Sequence, residues 1–502
     1  MKKHILSALA ALIIILSSCA AEPISPVVSE PVETISSDTS AECALPAHLD
    51  ADSSGFCDSC NASVTVTVDF YSINDLHGKL LDNDSQPGVD ELTSYLKSAR
   101  ESDDHAVFLS IGDMWQGASE SNLTHGLMMT DWMNSLSFAA MTIGNHEFDW
   151  GEEFIESNLA LADFPFLAIN IYERATNELA DYCTPSVTVS CGEATIGIIG
   201  AIGNCYSSIS GDKVADIYFK TGEELNSLIR AESERLRGEG ADFIILAIHD
   251  GSADVSLSKE HVDLVFEGHT HKSYAKADRY SVYHLQGGGD NDGITHAEAV
   301  INFAGGESIV KVAECIPAHV FDDSPSDPIV SELMKKYESE VSKADEIIGN
   351  NEVFRNGDWL RALVARLYYE RGFTEWGKEH DIVLGGGFIS VRAPYNLSSG
   401  EVRYSDLQSL FPFDNRIDLC TIKGSDLKRK FLETSNSNYF IYCGEYGNSV
   451  RFNIDPNATY YVVVDSYTSS YAPNNLTVVA SLDDDLFARD LLADYIRGGG
   501  LG

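Results

Sequence analysis

Five short segments carry most of the side chains able to bind a metal ion or move a proton: 74-NDLHG-78, 112-GDMWQG-117, 144-GNHEFDWG-151, 249-HDG-251 and 268-GHTH-271. Imidazoles and carboxylates in combination suit zinc, manganese or iron(II), and a neutral Asn adds a carbonyl oxygen. Glycines beside the donors let the backbone turn sharply and approach a bound ion closely. One such segment alone is what a polar surface loop would look like. Five in succession define a candidate metal-dependent site.

Each segment follows an apolar run that reads as a strand: 66-VTVDFYSI-73, 106-AVFLSI-111, 138-FAAMTI-143, 243-FIILAI-248 and 262-VDLVFE-267. A further run, 195-TIGIIG-200, has the same character. Between them, Leu92, Tyr95, Leu96 and Ala99 recur at helical spacing, and 223-EELNSLIRAESERLR-237 reads as another helix. Strands alternating with amphipathic helices predict a layered α/β domain whose strand tips gather the five segments. Loops held on a rigid sheet are where sites tend to sit.

The order D-x-H-G, GD, GNHE, H and GHTH resembles the calcineurin-like metallophosphoesterases. The form GNHEFDWG, with a large C-terminal unit, is similar to the 5'-nucleotidase family within them, over roughly residues 64 to 490. The resemblance implies a four-layer α/β/β/α sandwich followed by a smaller α/β nucleotide-binding domain. It also implies two divalent ions. Asp75, His77, Asp113 and His271 would hold one, and Asp113 would bridge to a second held by Asn145, His249 and His269. Two ions sharing a carboxylate sit about 3.5–4 Å apart, clamp a phosphoryl oxygen and supply a hydroxide for in-line attack. His146 would stabilise charge on the phosphate in the transition state, with Asp149 orienting it or raising its pKa. Glu147 is expected to hydrogen-bond a ligand histidine, and Trp150 to serve packing.

For the C-terminal unit the resemblance implies a nucleoside held between two aromatic rings. The segment 409-SLFPFDNRI-417 matches the family's PFGN loop with Asp414 in place of Gly, so Phe413 would stack on a base and Asn415 hydrogen-bond to it. Tyr467 is the expected second ring, with Tyr471 as a competitor, although 465-DSYTSSYAPNNL-476 lacks the family's glycines and aspartate. The segment 385-GGGFISVR-392 is expected to form a loop like the family's GGGIR, with Arg392 displaced by two positions, and Arg355 is the other candidate substrate arginine. The expected reaction is phosphate removal from nucleotides, nucleoside 5'-monophosphates first. The alternatives are a 2',3'-cyclic nucleotide phosphodiesterase or nucleotide-sugar hydrolase using the same metals, and, from another class, a nucleotide-binding lipoprotein without catalysis. The presence of every expected ligand and of His146 with Asp149 argues against that last reading.

The 502 residues exceed one ordinary domain. With 34 Lys+Arg against 77 Asp+Glu, the formal net charge of −43 disfavours binding a nucleic acid polymer through a basic patch. At the N-terminus, basic residues precede the short apolar run 5-ILSALAALIIIL-16 and then 16-LSSC-19, which resembles a bacterial lipobox with Cys19 as the lipidated residue. An extracytoplasmic protein anchored to the membrane by lipid is expected. The expected organisation is a signal peptide at 1–19, an acidic linker with a small Cys-containing element at 20–63, the phosphoesterase domain at 64–320, a linker helix at 321–345 and the substrate-binding domain at 346–502. Cys43, His48, Cys57 and Cys60 could form a zinc knuckle or a local disulfide, and Asp50 and Asp52 before Gly55 hint at a calcium loop. Cys183 with Cys191, and Cys420 with Cys443, are candidate disulfide pairs.

Overall fold

Alternation of side chains along the strands decides how the layers stack. In Thr65–Ile73, Val68 and Phe70 enter one apolar core while Tyr71 and Ile73 enter another. Phe243–His249 does the same: Phe243, Ile245 and Ala247 share the core of Val68 and Phe70, and Ile244, Leu246 and Ile248 face the opposite way. A strand buried on both faces reads as a continuous apolar run, which is why these segments are so plain in the sequence. The computed structural model describes residues 48–82, 87–251, 257–321, 323–444, 453–482 and 486–501. The expected leader with Cys19, most of the expected linker, and Cys43 lie outside the described residues. Among the described residues no helix is long and apolar enough to cross a membrane.

Two six-stranded sheets face each other across the shared core. The first runs Ile309–Pro317, Gly293–Asn302, Thr65–Ile73, Val107–Ser110, Ala140–Thr142, Phe166–Leu167. The second runs Ser273–Ala277, Tyr283–Gly287, Leu264–Glu267, Phe243–His249, Ala194–Ile202, Ser186–Cys191. Central strands within each sheet are parallel, so their carboxyl ends open at one edge. Helices Asp90–Ser102 and Leu127–Ser135 cover the outer face of the first sheet through Leu92, Leu96, Met129 and Trp132. Glu223–Gly238 covers the second through Leu225, Ile229 and Leu236. Each such side chain contributes about 1.5–3 kcal/mol on full burial. The result is the α/β/β/α order expected from the sequence.

Helices Ile329–Lys336 and Glu338–Val341 follow, and Val330, Leu333 and Val341 dock on the helical face of the first sheet. The C-terminal unit then forms a five-stranded sheet in the order Tyr439–Tyr442, Ile382–Phe388, Thr459–Asp465, Ile417–Lys423, Thr477–Ser481. Helix Gly357–Trp376 lies across it, its start capped by Asn356, which accepts from the Trp359 amide at 2.9 Å.

Three expectations change. The triple glycine is not a loop: Gly385–Gly387 belong to strand Ile382–Phe388. A Cβ on Gly385 would lie 2.3 Å from the Tyr369 amide nitrogen, so glycine is what lets the long helix pack directly on the strand. Neither Cys183 with Cys191 nor Cys420 with Cys443 is joined as a disulfide. The Asp50 carboxylate is no open calcium ligand, because it accepts from the amides of Ser54 at 2.9 Å and Gly55 at 2.8 Å and from the Asn302 side chain at 2.6 Å.

Candidate active site

The parallel strands deliver their carboxyl-terminal tips to one place. Asp75 and His77 follow Thr65–Ile73, Asp113 follows Val107–Ser110, Asn145 follows Ala140–Thr142, His249 ends Phe243–His249, and His269 and His271 follow Leu264–Glu267. Asp75, His77 and His271 offer ligand atoms within 4.8 Å of one another, and so do Asp75, Asp113 and His249. His249 Nε2 lies 3.1 Å from Asp113 Oδ2 and 3.3 Å from Asn145 Oδ1. Asp75 is common to both groups, and Asp113 also comes within the same distance of His77 and His146. Cβ space is scarce here: one built on Gly144 would lie 2.3 Å from Asp113 Oδ1, which explains the glycine of GNHE.

Backbone conformation supplies a signal that residue types did not. Asp75, His77, Asp113, His269 and His271 all have positive φ, between 51° and 71°. Non-glycine residues avoid that region, at a cost of order 1–3 kcal/mol each when held in unfavourable wells, and such residues cluster at functional sites.

The donor set fits a pair of cations. His77 Nδ1 donates to the Gln116 carbonyl at 2.8 Å, and His249 Nδ1 donates to the Ile111 carbonyl at 2.6 Å. Both rings are thereby fixed with Nε2 presented to the cluster, as metal-ligating imidazoles are. His77 Nε2 and His271 Nε2 face each other at 3.1 Å, and His271 Nε2 is 3.3 Å from Asp75 Oδ1. A cation between them would engage both ring nitrogens and the Asp75 carboxylate together. Burial works against the charge of Asp113, yet His249, His146 and His77 outweigh it and hold the carboxyl well below its usual range. Burial likewise opposes protonation of His249, but Asp113 and Asp75 lift it to about 10. The carboxylates demand positive charge at the positions where cations would sit.

His146 and Asp149 form a pair: His146 Nδ1 lies 2.6 Å from Asp149 Oδ2, and its backbone amide donates to Asp113 Oδ1 at 2.8 Å. Burial disfavours the imidazolium, but Asp149 and Asp113 prevail and raise its pKa. Glu147 departs from expectation. Its carboxylate bonds no histidine; it accepts from the amides of Asp113, Met114 and Gly144 at 2.8, 2.9 and 2.7 Å. It thus splices two ligand-bearing turns together. Burial and the neighbouring Asp113 push its pKa up to about 7. Trp150 is buried and packs edge-on against His125.

A cavity of about 420 Å³ joins this cluster to the C-terminal unit. Asp113, Asn145, His146, Asp149, His269 and His271 line one side, and Arg392, Phe413, Asn415 and Tyr467 the other. Phe413 lies over the His146 ring at 5.9 Å between centroids, with the Arg392 guanidinium 5.1 Å from Phe413. Arg355 does not join them; its guanidinium rests on Trp359. Sequence reading missed several neighbours. Phe388 packs on Tyr467 at 5.5 Å and lines the same cavity. Buried Arg489 ion-pairs with Asp414 and donates to the Phe413 carbonyl at 3.2 Å, clasping the loop from behind. Cys205 lies within 4.8 Å of the donor atoms of His249 and His269, its thiol donating to the His249 carbonyl. Phe388 sits at a strand end beside the glycines, and that position was the available clue. Arg489 and Cys205 carry none in local sequence.

Fold and site together define a metallophosphoesterase. Residues 69–273 match the calcineurin-like phosphoesterase family, and residues 374–446 match the 5'-nucleotidase C-terminal domain. The chain is 27% identical over 419 residues to an apyrase of Tabanus yao, covering 74% of each chain. It is 24% identical over 391 residues to a snake venom 5'-nucleotidase of Naja atra, covering 70% of this chain and 73% of that one. The crystal structure of a 5'-nucleotidase precursor from Thermus thermophilus shares the fold, with a TM-score of 0.63 at 18% identity over 86% of this chain and 96% of that one. The chain belongs to the 5'-nucleotidase family of calcineurin-like phosphoesterases. It is a phosphoric ester hydrolase of the class that uses a dinuclear metal centre.

Proposed function

We propose that this enzyme is exported, held at the bacterial membrane by a lipid on Cys19, and removes phosphate from nucleoside 5'-monophosphates. Asp75, His77, Asp113 and His271 would hold one divalent ion, and Asp113, Asn145, His249 and His269 the other. The imidazole-rich donor set favours zinc, manganese or iron(II). When bound, such a pair polarises phosphoryl oxygens and makes a water-derived nucleophile available at neutral pH.

The chain's own residues do the rest. Asp149 fixes the His146 ring through Nδ1, leaving Nε2 toward the cavity, where Arg392 donates to it at 3.2 Å. A phosphate entering there would take the Arg392 guanidinium from His146 Nε2 and, with the imidazole protonated as Asp149 and Asp113 favour, accept from both side chains as charge builds on its oxygens. Phe413 offers a face for the base and Asn415 its amide, while Phe388 and Tyr467 close the other end of the cavity. The observation that carries this reading is the single cavity shared by the metal-type cluster and an aromatic platform, with His146 and Arg392 at the join.

The test is phosphate release by purified, metal-loaded enzyme from AMP, ADP, ATP, 2',3'-cyclic AMP, a nucleotide sugar and p-nitrophenyl phosphate. AMP should be cleaved with the highest kcat/KM. Cleavage confined to the cyclic nucleotide or the sugar conjugate would overturn the monophosphate assignment. The anchor is tested by fractionation: Cys19→Ser should move the protein out of the membrane fraction.

A further inference from the structure

His48, Cys57 and Cys60 form a second donor cluster, their ligand atoms all within 4.8 Å of one another. It lies just before strand Thr65–Ile73, whose far end leads into Asp75. Nine residues of strand separate the two, about 30 Å at 3.3 Å per residue, so this cluster is no part of the catalytic site.

Its geometry is that of a metal knuckle. Cys57 donates its amide to the Ala62 carbonyl, and Asn61 returns its amide to the Cys57 carbonyl, both at 2.8 Å. Asn61, directly after the second cysteine, has φ 59°, which lets the chain turn tightly past the thiols. Cys57 is buried, and Cys60 packs against the same small apolar cluster. The thiolate is the form that binds a metal. His48 Nδ1 lies 3.5 Å from Cys60 Sγ. Zinc bonds of about 2.3 Å to sulfur and about 2.0–2.1 Å to nitrogen, at tetrahedral angles, place such donors about 3.5 Å apart.

The surroundings explain why a cross-link is needed. The apolar cluster beneath this segment consists of Cys57, Val64 and Ala304, with Cys60 and Phe303 against it. So small a core cannot by itself hold an irregular segment, and small units use metals or disulfides in its place. Asp50 anchors the segment to the first sheet through Asn302, and its amide donates to the Ala304 carbonyl at 3.1 Å.

We infer that His48, Cys57 and Cys60 bind a structural zinc ion, distinct from the catalytic pair, that closes residues 48–60 into one unit packed against the ends of strands Thr65–Ile73 and Gly293–Asn302. The test uses full-length protein purified in zinc-containing, chelator-free buffer, beside Cys57→Ser/Cys60→Ser and His48→Ala. Elemental analysis should show the double variant one zinc equivalent below wild type, with phosphate release from AMP unchanged. Cobalt(II) exchange of the wild type should give a thiolate-to-cobalt charge-transfer band that the double variant lacks. His48→Ala, which keeps both thiols, should show weakened zinc retention against a chelator. Equal zinc in wild type and double variant would overturn the inference. So would a charge-transfer band that survives both substitutions, or an intact mass showing Cys57 and Cys60 oxidised to a disulfide.

Discussion

Arg392 Nη2 stands 3.2 Å from Nε2 of His146, a contact between side chains 246 positions apart in the sequence and contributed by different domains. A guanidinium has only donors, so the imidazole nitrogen accepts, and its other nitrogen carries the proton shared with Asp149. The two side chains hold each other where a phosphate would need both. Removing Arg392 takes away a charge-assisted bond worth about 1.5–3 kcal/mol. Arg392→Ala should therefore lower kcat/KM for AMP by about 10- to 150-fold, with Arg392→Lys intermediate. An unchanged kcat/KM in steady-state phosphate release would remove Arg392 from the site.

His146 makes a separable prediction because, although a ring nitrogen of it lies within 4.8 Å of the donor atoms of His77 and Asp113, its Nδ1 is engaged by Asp149 and its Nε2 by Arg392. His146→Ala should cut kcat by about 10²–10⁴-fold while elemental analysis shows wild-type metal content. Asp149→Asn keeps a hydrogen-bonding side chain but removes the charge that raises the imidazole pKa, so its loss should be smaller. Variants that lose metal in parallel with turnover would show His146 to be a ligand, and the proposed role would fail.

The metal-type residues were legible because each follows a strand buried on both faces, and such strands announce themselves as unbroken apolar runs. Register then does the work: parallel neighbours bring Asp75, Asp113 and Asn145 from one sheet, and His249, His269 and His271 from the other, to a common edge. Positive φ at five of these residues was invisible, since no residue type demands it. Glu147 misled because its position suggests a partner to histidine, whereas three backbone amides were the groups left needing an acceptor. The triple glycine read as a loop by propensity, and tertiary packing against Tyr369 overrode that reading. Arg355 has the expected place in the sequence, but its guanidinium lies on the aromatic face of Trp359.

Phe413 offers the base platform, and Arg489 holds that loop through Asp414 and the Phe413 carbonyl. Stacking is worth about 1–3 kcal/mol per base. Phe413→Ala should raise KM for AMP by about 5- to 150-fold and leave hydrolysis of inorganic pyrophosphate, which has no base, close to wild type. Arg489→Gln should follow the same pattern more weakly. Equal losses on both substrates would show that Phe413 shapes the phosphate site and does not select for a base.

Asp465 ends strand Thr459–Asp465 and caps the following helix, accepting from the Thr468 amide at 2.8 Å, with the Tyr368 hydroxyl 3.5 Å away. Burial, outweighing the Thr468 hydrogen bonds, pushes its pKa up to about 6. The folded value exceeds the unfolded one of about 3.9, so folding favours the protonated acid. That contribution is fully present below pH ~4 and is lost as pH rises through ~6, to a total of about 3 kcal/mol. Asp465→Asn keeps an acceptor for Thr468 and cannot ionise, so it should abolish this slope. Urea unfolding of metal-loaded protein at intervals from pH 4 to 7 should show wild type losing stability relative to Asp465→Asn across that window. Parallel curves would mean that Asp465 is ionised in the folded protein throughout, and that the charge next to the cavity is permanent.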